Sequence, residues 1–223
     1  MIIFNSKSIA KNVMFYLDKD VNEFSAEEIN TIKELSVDGR EEVLDLSETL
    51  VFNNLEELII SNTFLSKDDI LVLGKLPLLR TIYFNKCFFE DSNVLDSLNI
   101  KELNFYDCDI ISYSFLNNMS FLKKLSIVNG EASLNDFNGL SELKKLRLSH
   151  CHINDIDMFN FPKLEELYIN DTNIEDYSVL GNLNNLNTID LSSDMCENWS
   201  SYVDSLNNKK VLVLENGFPY NRG

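Results

Sequence analysis

The chain has 223 residues, of which 36 are Asp or Glu and 19 are Lys or Arg, so its formal net charge is −17. This charge argues against nucleic-acid binding, which needs a basic footprint, and no stretch approaches the ~20 apolar residues of a membrane-spanning helix. The opening residues 1–11 carry an apolar run that Asn5 and Lys7 interrupt, so we do not expect a secretion signal there. These features predict a cytoplasmic protein that binds neither nucleic acid nor membrane.

Residues 1–31 are predicted to form a helical N-terminal cap. Ser8 to Leu17 (SIAKNVMFYL) has helical spacing, and Ser25-Ala26-Glu27-Glu28 is typical of a capped helix start. The inward face of the first helix would be formed by Ile9, Val13, Tyr16 and Leu17. We expect this segment to cover the open end of the structure that follows it.

Residues 32–54 are predicted to form an irregular first repeat. Ile32, Leu35 and Val37 have the alternation of a strand. Asp38-Gly39 followed by the run Val43 to Leu46 (VLDL) suggests a hairpin within this segment.

Residues 55–218 repeat the phrase leucine-x-x-leucine-x-leucine about every 22 residues. Its second apolar position is held by Leu58, Ile82, Leu103, Leu125, Leu146, Leu167, Ile189 and Val211. An apolar residue follows two positions later, at Ile60, Phe84, Phe105, Ile127, Leu148, Ile169, Leu191 and Val213. Three positions further lies a small or polar residue: Thr63, Cys87, Cys108, Gly130, Cys151, Thr172, Asp194 and Asn216.

This period and spacing predict a leucine-rich-repeat α/β solenoid. Alternation along a short strand buries two apolar positions per repeat, and stacked repeats join into one core with a parallel sheet on its concave face. We expect a right-handed superhelix of horseshoe shape, a single structural domain, short 3₁₀ or helical convex segments, and a C-terminal tail at residues 219–223.

The convex segments are predicted to differ in length. Asp155 to Lys163 and Glu175 to Asn185 suit a turn or one 3₁₀ turn. Ser66 to Lys75 is predicted to be a helix capped by Ser66. Asp194 to Leu206 is also predicted to be helical, with one face formed by Trp199, Tyr202 and Leu206.

The repeats at 149–170 (SHCHINDIDMFNFPKLEELYIN) and 170–192 (NDTNIEDYSVLGNLNNLNTIDLS) resemble those of the bacterial internalin-like class. Phe24 to Val37 (FSAEEINTIKELSV) is similar to the N-terminal cap of that class, so the resemblance covers nearly the whole chain. It implies a bacterial protein whose concave face binds a partner protein.

A basic patch flanked by tyrosines is predicted on the concave face. Two neighbouring repeats both contain Leu-Lys-Lys-Leu, and the second continues into arginine and histidine. The candidate binding residues are Tyr83, Tyr106, Lys124, Lys145, Arg147, His150, Tyr168, Asp171 and Asp190. Tyrosine beside arginine is typical of an interface hot spot, so we expect this patch to bind an acidic segment of a partner. The alternative is that these side chains only solvate an open sheet.

The last strand provides a second candidate surface. Leu212 and Leu214 would face the concave side while Val211 and Val213 face the core, which would favour self-association through the C-terminal edge. Alternatively, the register is shifted by one residue, or Trp199, Phe218 and Tyr220 cap the end. We expect a monomer.

No metal or cofactor is predicted. Asp18, Asp20 and Asn22 imitate the start of a calcium loop, but Glu23 replaces its glycine and Ile29 its final glutamate. His150-Cys151-His152 lacks a second ligand cluster for zinc. Cys87, Cys108 and Cys151 hold a repeat position that points inward, so we expect reduced thiols rather than a disulfide framework.

A catalytic role is not expected either. The chain has two histidines on one bend and 7 scattered glycines, so neither a catalytic triad nor a phosphate loop has candidates. The sequence predicts a non-catalytic protein-interaction scaffold. The alternatives are an immunity or inhibitor protein that neutralises a toxin or enzyme, and a structural or self-associating module.

Overall fold

The computed structural model describes residues 1–154, 161–174, 180, 183–191, 199–208, 211–215 and 217–219, with the backbone alone at 199, 200, 205, 207 and 208. The chain divides into two compact units, unit 1 (Met1–Ile111) and unit 2 (Ser112–Gly223). The predicted domain boundaries, and the single domain they imply, stay predictions.

Unit 1 contains a parallel sheet with one strand per repeat. Its strands are β1 (Glu34–Asp38), β2 (Glu57–Ser61), β4 (Thr81–Asn85) and β6 (Glu102–Tyr106). They are adjacent in that order, with Leu35, Leu58, Ile82 and Leu103 at one register position. Two shorter strands, β3 (Phe64–Leu65) and β5 (Phe88–Phe89), pair in parallel beside it. The solenoid prediction is confirmed.

The core of unit 1 is formed by the inward positions of these strands. Leu58, Ile60, Ile82 and Leu103 are fully buried, and Phe84 stacks on the ring of Phe105 at a centroid distance of 5.6 Å. Burial of each large apolar side chain contributes about 1.5–3 kcal/mol, so repetition of two such positions per repeat holds the strands in register.

Two helices precede the first strand. Helix α1 spans Lys7–Tyr16 with Ser6 as its N-cap, and α2 spans Ala26–Ile29 with the predicted capping box between Ser25 and Glu28. Ile9 and Val13 are buried as expected, but Tyr16 is 49% exposed, so its predicted inward position is wrong. Tyr16 is the last residue of α1.

Helix α1 packs along β1 and binds its backbone. The Asp38 N–H donates to Ser8 Oγ at 2.7 Å, and the Ser36 N–H donates to Asn12 Oδ1 at 3.2 Å. These donors lie on the edge of β1 that no strand covers in unit 1. The capping role of the helices stays a prediction, which these contacts support.

The hairpin predicted within residues 32–54 is wrong. β1 pairs in parallel with β2 up to Asp38 and Ser61, and Leu46–Val51 forms a 3₁₀ helix instead of a second strand. Gly39 follows β1 because the chain passes close to the next repeat: a Cβ there would lie 2.8 Å from the carbonyl oxygen of Asn62. The glycine therefore permits a close approach of two repeats rather than a hairpin turn.

The convex segment after β3 contains helix α3 (Lys67–Leu73). Ser66 and Asp69 form a reciprocal capping box, and Gly74 ends the helix, as the sequence predicted. The following repeat has a 3₁₀ helix at Ser92–Ser97.

Unit 2 continues the same pattern. Its parallel strands are β7 (Lys124–Ser133), β8 (Lys145–Asn154), β9 (Glu166–Asn170), β10 (Thr188–Leu191) and β11 (Leu212–Glu215). A final strand, β12 (Phe218–Pro219), runs antiparallel to β11. Two 3₁₀ helices lie at Ser114–Asn118 and Leu134–Phe137, and helix α4 spans Trp199–Asn208.

The alignment of the last repeat needs a correction. We placed Val211 opposite Ile189, but the structure pairs Val213 with Ile189, two residues later. The ten-residue helix α4 lengthens this repeat, which accounts for the shift. A shift of two residues preserves the faces, so Val211 and Val213 are buried and Leu212 is 51% exposed, as predicted.

The predicted convex segments of unit 2 are described only in part. Residues 155–160, 175–179 and 181–182 lie outside the described residues, as do the start of the predicted helix at 194–198 and the side chain of Trp199. Tyr202 and Leu206 on α4 are buried, in agreement with its predicted inward face.

Candidate protein-binding face

Four of the candidate side chains, together with Glu166, lie on the outward side of β7, β8 and β9 in unit 2. Register places Lys124 beside Lys145 and Lys145 beside Glu166, and it places Arg147 beside Tyr168. The residues between them along the strands, such as Leu146 and Leu167, are fully buried, so the alternation turns this set outward. We call this surface the Arg147 face; its residues are Lys124, Lys145, Arg147, Glu166 and Tyr168.

Lys145 is paired within the sheet. Its Nζ lies 2.8 Å from Glu166 Oε2 and 4.7 Å from the centre of the Tyr168 ring, and the Tyr168 hydroxyl donates to the same Glu166 oxygen at 3.0 Å. The hydrogen bond from Lys145 lowers the pKa of Glu166, and the carboxylate raises the pKa of Lys145 although burial opposes its charge. Lys145 therefore does not add an unpaired positive charge to this face, whereas the sequence predicted it as part of a basic patch.

Arg147 is exposed at the centre of this face. Its Nε donates to Ser149 Oγ at 3.3 Å, and none of the described carboxylates forms an ion pair with it. The side chain thus keeps most of its five donors for solvent or a ligand. Tyr168 lies beside it on β9.

His150 and Asp171 differ from the Arg147 face in backbone conformation. Both have a positive φ of 52°; His150 lies within β8 and Asp171 directly follows β9. The Nδ1 atom of His150 lies 3.4 Å from Asp171 Oδ2, and both side chains are exposed. The structure brings this pair together at the corner of two consecutive repeats.

This corner repeats along the chain, and the sequence analysis missed it. In each of six repeats, the residue two positions after the second buried strand position has a positive φ and is not glycine: Asn62, Lys86, Asp107, Asn129, His150 and Asp171. Asn, Asp and His tolerate this conformation best. Their recurrence at a fixed distance after the buried strand positions was the signal that could have revealed it.

Asp190 is not exposed, so its predicted place on the binding surface is wrong. The residue is 5% exposed, and its Oδ1 accepts a hydrogen bond from the backbone N–H of Gly217 at 3.1 Å. Gly217 has a φ of +85° and lies between β11 and β12. Asp190 therefore stabilises the turn that returns the chain to the sheet.

Tyr83 lies in unit 1 among carboxylates. Its hydroxyl donates to Glu102 Oε1 at 3.4 Å, while Glu34 and Glu57 occupy neighbouring strands. Burial, followed by the charges of Glu102 and Glu57, raises the pKa of Tyr83 to about 12. Tyr106 is also in unit 1 and is exposed. The prediction that these two tyrosines flank the cations of unit 2 stays a prediction.

No group of three or more His, Cys, Asp or Glu side chains in the described part of the chain is arranged to hold a metal ion. Among those same residues, no helix has both the length and the apolarity to cross a bilayer.

Comparisons with known proteins agree with this geometry. The family described as "Leucine Rich repeats (2 copies)" matches residues 141–182. No curated protein matches the sequence. Internalin C2 of Listeria monocytogenes has a TM-score of 0.68 at 21% identity, over 96% of this chain and 95% of that one. An internalin-like protein of the same organism has a TM-score of 0.59 at 20% identity, over 85% and 61%.

A third solved structure is not an internalin. The complex of TLR13 with ssRNA13 matches with a TM-score of 0.60 at 22% identity, over 87% of this chain and 32% of that one.

The strand-per-repeat sheet and the buried repeat positions give the described residues the fold of a leucine-rich-repeat solenoid. Within that class its fold is internalin-like.

Proposed function

We propose that this protein is a non-catalytic protein-interaction scaffold, and that the Arg147 face binds an acidic segment of a partner protein. The observation that carries the proposal is the exposed Arg147 guanidinium without a carboxylate partner among the described residues. Every other cation of β8 and of the residue before it is paired: Lys144 with Glu165 and Lys145 with Glu166.

The chemistry of Arg147 favours a carboxylate ligand. A guanidinium offers parallel N–H donors that match a carboxylate in a bidentate arrangement, and such charge-assisted bonds are about twice as strong as neutral ones. Tyr168 is held beside it by Glu166 and Lys145, so an aromatic anchor is already ordered. Arginine and tyrosine are the residue types that most often dominate binding energy at interfaces.

The open architecture supports binding rather than catalysis. The outward side of a parallel repeat sheet is a broad surface, and repeat proteins use such surfaces for extended contacts. The fold likeness to internalins and to TLR13 agrees with an interaction role, although fold alone does not identify a partner.

The test is affinity capture from a native bacterial lysate with wild-type protein and with Arg147→Glu, followed by affinity measurement on the captured protein. We expect the charge reversal to weaken binding at least tenfold, because removing one member of an interfacial ion pair costs about 2–5 kcal/mol. Lys75→Glu is the matched control: Lys75 is exposed after α3, away from the strands, and its reversal changes net charge equally. Equal affinity for all three proteins would exclude the Arg147 face.

A further inference from the structure

Two cysteines of unit 1 are direct neighbours on consecutive repeats. The backbone N–H of Asp109 donates to the carbonyl of Cys87 at 3.1 Å, and Phe88 bridges Asp109 in parallel, so Cys87 lies beside Cys108. Parallel neighbours are about 4.8 Å apart, and a disulfide requires a Cα separation of roughly 4.4–6.8 Å. The backbone spacing therefore suits a covalent bond between them.

Each of the two thiols contacts a backbone carbonyl of the preceding repeat. Cys87 Sγ lies 3.3 Å from the carbonyl oxygen of Ile60, and Cys108 Sγ lies 3.3 Å from that of Phe84, one repeat later. The thiols share a hydrogen bond, and both cysteines are free. The thiol of Cys108 thus lies against the repeat that contains Cys87.

Their environments differ in a way that assigns each a separate role. Cys87 is fully buried, whereas Cys108 is partly exposed. The hydrogen bond with Cys108, together with burial, raises the pKa of Cys87, and the same bond lowers the pKa of Cys108. Because the thiolate is the reactive form, Cys108 is the accessible nucleophile and Cys87 keeps its proton.

We propose that Cys87 and Cys108 form a reversible oxidation site, in which a peroxide oxidises Cys108 and Cys87 then closes a disulfide between the two repeats. In the first step the Cys108 thiolate attacks an oxygen of hydrogen peroxide, the O–O bond breaks, and sulfenic acid and water form after one proton is taken up. In the second step Cys87 sulfur attacks the Cys108 sulfur, and its proton leaves with the hydroxyl group as a second water. The peroxide is reduced and the two thiols are oxidised by two electrons.

The disulfide would fasten neighbouring repeats of unit 1. It closes a loop of about 22 residues, which restricts the unfolded chain. This inference concerns the core side of the repeats and does not depend on the Arg147 face.

The test uses the full chain treated with stoichiometric hydrogen peroxide, digested with trypsin without reductant, and mapped by mass spectrometry. Cleavage after Lys86, Lys101 and Lys123 separates the two cysteines onto residues 87–101 and 102–123. We expect these peptides to be linked with the loss of two hydrogen atoms, and dithiothreitol to separate them. The oxidised protein should run as a monomer and melt roughly 5 °C higher than the reduced protein.

Cys151 provides the matched control within the chain. It holds the same repeat position, is buried and free, and pairs with Gly130 instead of a cysteine. The link should persist in Cys151→Ala and be absent in Cys108→Ser and in Cys87→Ser. Sulfinic or sulfonic acid on Cys108 without a linked peptide, a link to residues 148–163, or a disulfide between two chains would each overturn the proposal.

Discussion

Tyr83 illustrates how the properties of one residue depend on neighbouring repeats. Glu34, Glu57 and Glu102 come from three other strands, each about 20 residues or more away in the chain, yet their charges all raise the pKa of this one phenol. Arg147 is the opposite case, an exposed cation that its neighbours leave unpaired within the described residues. At the residue scale, the charge of a side chain on this sheet is set by the register of adjacent repeats.

Tyr83 should therefore titrate above ordinary tyrosines. We expect the ultraviolet difference between wild type and Tyr83→Phe to develop at about pH 12 rather than near pH 10, because burial and the nearby glutamates raise the pKa of Tyr83. The sign follows from linkage: the contribution of Tyr83 to stability is complete below the unfolded pKa and is lost as pH rises toward 12. Glu102→Gln should lower this midpoint. A midpoint near 10 in both proteins would contradict the geometry.

Helix α1 shows how an element is fixed by residues far from it. Glu42 accepts bonds from Ser6 Oγ and from the N–H groups of Lys7 and Ser8, and Glu48 accepts from the N–H groups of Asn5 and Ser6. Carboxylates at a helix N-terminus satisfy its free donors and its positive dipole end. Two glutamates of the first repeat thus hold the helix that covers β1.

Glu42→Gln should destabilise unit 1 by about 1 kcal/mol, the scale of a charged group at a helix N-terminus. Burial opposes the charge of Glu42, but the bonds from Ser8, Ser6 and Lys7 outweigh it and lower its pKa. Its contribution is therefore present above the unfolded pKa and is lost as pH falls through the folded one. Urea unfolding at pH 7 and pH 3 measures this difference.

Glu41→Gln is the matched control for that measurement. Glu41 is adjacent and exposed, and it makes only a distant ion pair with Lys11 at 3.9 Å. We expect little change, since exposed pairs contribute about 0–1 kcal/mol. Equal losses for both variants at pH 7, or a Glu42 effect that persists at pH 3, would show that the helix terminus is not the cause.

The strand edges at the ends of a repeat sheet influence whether the protein self-associates. At the last repeat, β12 pairs with Leu214 and Glu215 of β11, and Asp190 fixes the turn between them. Leu212 and Phe218 remain exposed, at 51% and 75%. Pairing with β12 covers part of the edge of β11, which disfavours self-association. The exposed apolar side chains of Leu212 and Phe218 favour it.

We expect a monomer in solution at low ionic strength, because β12 covers part of the edge and a net charge of −17 makes copies repel one another. Light scattering coupled to size exclusion measures the mass at several concentrations and salt levels. If a dimer forms at low salt, the prediction fails. Leu212→Lys then tests whether the C-terminal edge is the contact.

The sequence by itself determined the fold of this protein. Two apolar positions per repeat, such as Leu58 and Ile60, predict which side of each strand is buried. That alternation is a local property of the chain. The same alternation predicted the outward position of Arg147. Another local pattern, a serine followed three residues later by an acid, predicted the capped helix at Ser66. Repetition made these assignments secure, because each repeat supports the next.

Only the tertiary structure decided which of the outward residues are unpaired and exposed, and so able to contact a partner protein. Lys145 is paired by Glu166, Asp190 is buried against Gly217, and Gly39 serves a close approach instead of a hairpin. In each case the partner is between 21 and 27 residues away in the chain and reaches the site only through stacking of repeats. A periodic pattern specifies which face a side chain occupies, but the register and corners of neighbouring repeats decide what it touches there.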